Sequence, residues 1–138
     1  MKIRLKVVNF AVVALFALSL TSCGKGLTGT FTGTLTGTIG GATGQSATAQ
    51  FAMTESGSTT TGTYTAVTTT GNITYQGTIT ATKSGNSVTG TITLTAPSTC
   101  TGALTLSGTL DGNNLTVTVT GSPTCGSYSI TGIVIRAS

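Results

Sequence analysis

Leu27-Thr28-Gly29-Thr30-Phe31-Thr32-Gly33-Thr34-Leu35-Thr36-Gly37-Thr38-Ile39 decides the fold of this chain. Odd positions carry Leu, Phe, Ile or Gly, and every even position is Thr. Side chains on a strand alternate between two faces, so the pattern sets one apolar face against one hydroxyl face. An α-helix would scatter the same residues around its circumference. Thr is β-branched and favours strands. A strand is expected here, with aliphatics buried and threonines in water.

The same alternation recurs down the chain. Ala47, Ala49, Phe51 and Met53 share one face, followed by Gly62, Tyr64 and Ala66. Ile73, Tyr75, Gly77, Ile79 and Ala81 form a fourth set, and Val88, Gly90, Ile92 and Leu94 a fifth. Gly102 to Leu110, Leu115 to Val119 and Tyr128 to Val134 complete eight strands. Tight turns are expected at Glu55-Ser56-Gly57-Ser58, Lys83-Ser84-Gly85-Asn86 and Asp111-Gly112-Asn113. The intervening connections, Gly40 to Gln45, Thr68 to Asn72, Ala96 to Thr99 and Gly121 to Thr124, read as longer loops. Alternate connections of a meander lie at opposite ends, so one end is stitched and the other looped.

Residues 27–138 are therefore read as an all-β domain, an eight-stranded antiparallel up-and-down barrel. The alternative is a two-sheet sandwich. Eight strands close around side chains or one small ligand. Glycine recurring on the apolar face fits the sharp bends of closure. Closure also removes exposed strand edges.

Ahead of the barrel lie Lys2, Arg4 and Lys6, then an apolar run from Val7 to Leu20. At about fourteen residues this falls short of the ~20 needed to span a bilayer, so it reads as a secretory signal, residues 1–22. Leu20-Thr21-Ser22-Cys23 resembles the lipobox of bacterial lipoproteins. That resemblance implies a diacylglyceryl group on the Cys23 sulfur, cleavage before Cys23 and acylation of the new amine. Several acyl chains anchor stably where one would be marginal. Residues 23–26 would then be a lipidated tether. Gly24 stands where an inner-membrane retention signal usually has Asp, so the resemblance implies the outer membrane.

Without the signal, the formal charge falls from +4 to about +1, leaving Lys25, Lys83 and Arg136 against Glu55 and Asp111. No basic patch remains for nucleic acid. The chain has no His, so a Ser or Thr nucleophile lacks its usual base. Glu55 and Asp111, the only acids, both fall in turns, as does the Lys83-Ser84 pair. An enzyme is not expected, and no cofactor.

Cys100 and Cys125 occupy matching places, in Pro97-Ser98-Thr99-Cys100 and Pro123-Thr124-Cys125. The flanking stretches echo each other like a duplicated hairpin. In an exported chain a disulfide is the natural reading. It closes about 25 residues and would contribute roughly 3–4 kcal/mol. Free thiols or a metal pair are the other reading, but no His or further Cys completes a metal site.

Leu27-Thr28-Gly29-Thr30-Phe31 and Thr61-Gly62-Thr63-Tyr64 resemble the first and third strands of avidin-type barrels. In that family the tyrosine bonds the biotin ureido group. Here the serine expected two residues on is Ala66, and the pocket-walling tryptophans are absent because the chain has none. The resemblance implies the barrel more than the ligand. Over its whole length the chain resembles Thr/Gly-rich, lipocalin-like envelope lipoproteins.

The functional expectation is an envelope lipoprotein on the outer membrane, its barrel taking a small apolar ligand at the long-loop end. Tyr64, Tyr75 and Tyr128 would line that mouth. The alternative is a structural or adhesive module with a filled core. A membrane-spanning barrel would need aromatic girdles that the chain lacks, and an ice-binding array would need flat Thr rows.

Radiolabelled palmitate should mark the exported chain. Cys23→Ser should abolish the label and leave the uncut precursor, read by gel mobility.

Overall fold

The computed structural model describes residues 26–137; the signal segment 1–22 and Cys23 lie outside the described residues. Eight strands follow in order: β1 (Gly29–Ile39), β2 (Ala42–Ser56), β3 (Thr59–Thr68), β4 (Thr74–Ser84), β5 (Ser87–Ala96), β6 (Gly102–Asp111), β7 (Asn114–Gly121) and β8 (Tyr128–Arg136). Each pairs antiparallel with its neighbour in sequence, and β8 returns to β1, so the sheet closes into a barrel. The barrel reading holds and the sandwich does not.

Register sets the shape. A cross-strand row from Gly29 passes through Met53, Gly62, Ile79, Ile92, Leu104, Gly121 and Tyr128. Ser129 pairs with Thr38, so the row meets β1 again at Ile39, ten residues beyond Gly29. That offset over eight strand spacings corresponds to a tilt of about 40°, within the usual range for barrels.

The apolar faces turn inward. Phe31, Leu35, Phe51, Tyr64, Ile92, Leu106, Leu115 and Val119 are among the buried residues of one continuous core. The intervening threonines on the eight strands are mostly exposed.

Inward glycines sit where neighbouring backbones come close. A Cβ added at Gly33 would lie on the carbonyl oxygen of Ile133, and one at Gly62 on that of Ala52. Gly77, Gly90, Gly108 and Gly132 meet cross-strand backbone in the same way. These glycines therefore leave no room for a ligand at their own positions; their missing side chains are occupied by the adjacent strand.

Three local expectations change. The connection after β1 is the two-residue turn Gly40-Gly41, not a loop running to Gln45, and β2 begins at Ala42. Both glycines have positive φ, 61° and 85°, as a type I′ hairpin turn requires. Ile73 is 45% exposed rather than inward. It lies in a turn held by Thr68, whose hydroxyl accepts from the Ile73 amide at 2.9 Å. Third, hydroxyls do not all face water: Thr60 and Thr68 are buried on the inward parity of β3.

Gly62→Ala should destabilise the barrel by about 1–3 kcal/mol, because backbone rather than a movable side chain fills its Cβ position. Thr63→Ala, exposed next to it, should stay within about 0.5 kcal/mol in denaturant titration.

Candidate functional site

The three tyrosines meet inside the barrel. Tyr64 projects inward from β3, pairing across the ladder with Gly77 of β4 and Phe51 of β2. Tyr128, at the start of β8, pairs with Gly121. Each ring thus has a glycine opposite it on one side, where a larger partner would crowd it. The Tyr64 and Tyr128 hydroxyls are 2.7 Å apart and buried. Tyr75 stands edge-on to Tyr128 at 5.9 Å between centroids, and Phe51 tilts against Tyr64 at 5.2 Å. Tyr128 opens β8 and Tyr75 is the second residue of β4, both at the long-loop end, whereas Tyr64 lies in mid-strand.

Burial governs their acidity. It pushes the Tyr64 phenol well above 10, with the nearby Tyr128 charge adding to the effect. Burial also raises Tyr128, to about 12, against the opposing hydrogen bond from Tyr64. Both phenols stay neutral at neutral pH, so neither supplies a phenolate nucleophile. Together they form a mutually satisfied polar pair in an apolar interior, as buried hydroxyls require.

The long-loop end is tied across two loops. Cys100 and Cys125 are disulfide-bonded, with Cα atoms 4.5 Å apart. Around them the segments exchange hydrogen bonds. The Thr124 amide donates to the Thr101 carbonyl at 2.9 Å, and the Thr101 amide donates to the Thr124 hydroxyl at 3.0 Å. The Thr124 hydroxyl donates in turn to the Thr99 carbonyl. The two Pro segments make equivalent turns, Cys100 amide to Pro97 carbonyl and Gly126 amide to Pro123 carbonyl. The β1–β2 turn joins them, its Gly41 amide donating to the Ser127 carbonyl. Pro123 is buried beneath this lattice.

The stitched end has a different closure, and Arg136 is its centre. Sharing the inward parity of Tyr128, Ile130 and Val134, Arg136 sets its guanidinium over the Phe31 ring at 4.7 Å. It donates to the Thr28 carbonyl at 2.6 Å, the Gly112 carbonyl at 3.3 Å and Asn113 Oδ1 at 3.2 Å. Leu27 is fully buried at the entrance to β1, and the Thr28 hydroxyl accepts from the Glu55 amide. Arg136 escaped notice in the sequence as a lone charge near the terminus. Its even number, shared with Val134, was the signal.

Glu55, Lys83 and Asp111 lie at the ends of β2, β4 and β6, all on the stitched rim. The Lys83 ammonium donates to the Gly85 carbonyl within its own turn. Among the described residues no group of three or more His, Cys, Asp or Glu is placed to hold a metal. The fold and this interior define a small closed up-and-down barrel with a packed core. Comparison with protein-family models, characterised proteins and solved structures yields no match.

Tyr64→Phe or Tyr128→Phe should each cost about 1–3 kcal/mol by orphaning the other hydroxyl, and the double variant less than their sum. The folded state keeps its phenol protons to higher pH than the unfolded state. The stability they contribute is therefore whole below pH about 10 and lost as pH rises towards 12. The double variant should flatten that alkaline fall in melting temperature.

Proposed function

We propose that this protein is an exported lipoprotein, anchored through acylated Cys23 to the outer membrane, whose barrel is a non-catalytic structural or adhesive module. The observation that carries the module reading is the packed interior. Phe31, Phe51, Tyr64 and Leu104 are buried, and the central hydroxyl pair is bonded to itself rather than aimed at a vacancy. A carrier of small ligands presents polar groups that await a guest. The close backbone contacts at inward glycines support the same reading, since they remove the space those positions would otherwise lend.

On this reading the anchor lies at the stitched rim, because β1 begins there. The looped end faces away from the membrane. It carries Thr, Ser, Gly, Asn and Pro, the exposed Ile73 and no charged side chain, and its disulfide lattice ties the loops together. Its contacts would be made by hydroxyls and backbone rather than by ion pairs.

The competing carrier reading places a small apolar ligand among Tyr64, Tyr75 and Tyr128. Native mass spectrometry of the exported protein, purified with its disulfide intact, separates the two. The structural module should show the protein mass alone and no displacement of a fluorescent fatty-acid probe. A discrete retained small molecule would overturn this reading in favour of the carrier.

A further inference from the structure

We infer that the outer face of β8 at the stitched rim, centred on Ile133 and Ile135, is a membrane-contact surface seated against the bilayer that holds the anchor. The inference rests on acylation of Cys23, the reading proposed above. Ile133 is 52% and Ile135 53% exposed, on a wall otherwise faced mainly by hydroxyls. Ile133 pairs with Thr34 and Thr116, and Ile135 with Thr32 and Asn114. Two neighbouring aliphatics of one strand thus stand out of a polar field.

Their position sets the occupant. Arg136, the next residue after Ile135, holds the Thr28 carbonyl, so the chain enters the barrel beside these isoleucines. Gly26 lies only three residue steps beyond Cys23, at most about 11 Å when fully extended. The headgroup layer on each side of a bilayer is about 5–7 Å thick. Crossing it uses up much of the tether and brings the rim down onto the lipid. A second copy of the chain is a poorer occupant, because two isoleucines fall far short of the roughly 800 Å² per partner of a stable interface. The described charges at this rim balance, Lys83 and Arg136 against Glu55 and Asp111. Approach to a bilayer is therefore not opposed by net charge. Ile73, also exposed, lies just before β4 at the other end and serves as the control.

The chain has no Trp, so an introduced one reports alone. Ile135→Trp, Ile133→Trp and Ile73→Trp would be made in the full chain, processed in a Gram-negative host. Each would be reconstituted into phosphatidylethanolamine–phosphatidylglycerol vesicles with or without brominated acyl chains. The rim variants should emit further to the blue and lose most of their intensity to brominated lipid, while Ile73→Trp keeps its intensity. Rim emission matching that of Ile73→Trp overturns the inference. A blue shift without bromine quenching signals contact with a second chain and overturns it too. The mass of each sample separates the two levels. Unacylated Cys23 sinks the anchor reading and this inference with it, whereas an acylated chain with unquenched rim emission sinks the inference alone. Two rim positions keep the test standing if one variant fails to fold.

Discussion

Closing so narrow a cylinder forces neighbouring backbones together, and glycine makes that approach feasible. Where β1 crosses β8, the carbonyl of Ile133 occupies the place a side chain at Gly33 would need, and the carbonyl of Thr34 does the same to Gly132. The two strands press into each other reciprocally. Gly62 against β2 and Gly90 against β4 repeat the arrangement elsewhere on the wall. The space that side chains at these glycines would need is taken by neighbouring backbone, so the interior is filled by the side chains that remain.

The two ends solve the remaining problem differently. At one end a single guanidinium stacks on Phe31 and gathers two carbonyls and an amide oxygen from the β1 entry and the β6–β7 turn. At the other, loops too long to close by turn geometry alone are held by a covalent bond and reciprocal threonine hydrogen bonds. The covalent bond limits the freedom of the unfolded chain, while the hydrogen bonds satisfy loop backbone that would otherwise be stranded.

Much of this was legible beforehand because the side-chain period of a strand is so strict. A sequence alternating Thr with Gly, Leu and Phe leaves few choices of face, and so strand number and order could be read directly; closure had a two-sheet sandwich as its alternative, and the β8–β1 pairing decides it. The cysteine pairing followed from matched positions beside Pro97 and Pro123. What escaped was local. Gly40-Gly41 makes a tight turn because both residues adopt left-handed conformations, and composition alone does not distinguish that from the first residues of a longer loop. Ile73 has the right parity to be buried, yet a hydroxyl five residues earlier captures its amide and turns it out. Tyr64 and Tyr128 stand 64 residues apart in sequence, so no local pattern could show their hydroxyls meeting. Glycine spacing on the inward face was compatible with either a pocket or a filled core, and only the cross-strand contacts reveal what fills the gaps.

The charged residues among those described, Glu55, Lys83, Asp111 and Arg136, all fall on one rim, and this has an electrical consequence. More than a Debye length of barrel, about 8 Å at physiological ionic strength, can separate them from the opposite pole. A partner approaching that pole would meet almost no long-range field, neither drawn in nor turned away. Encounters there would proceed at the same pace in brackish and dilute media, and discrimination would be left to shape and short-range fit.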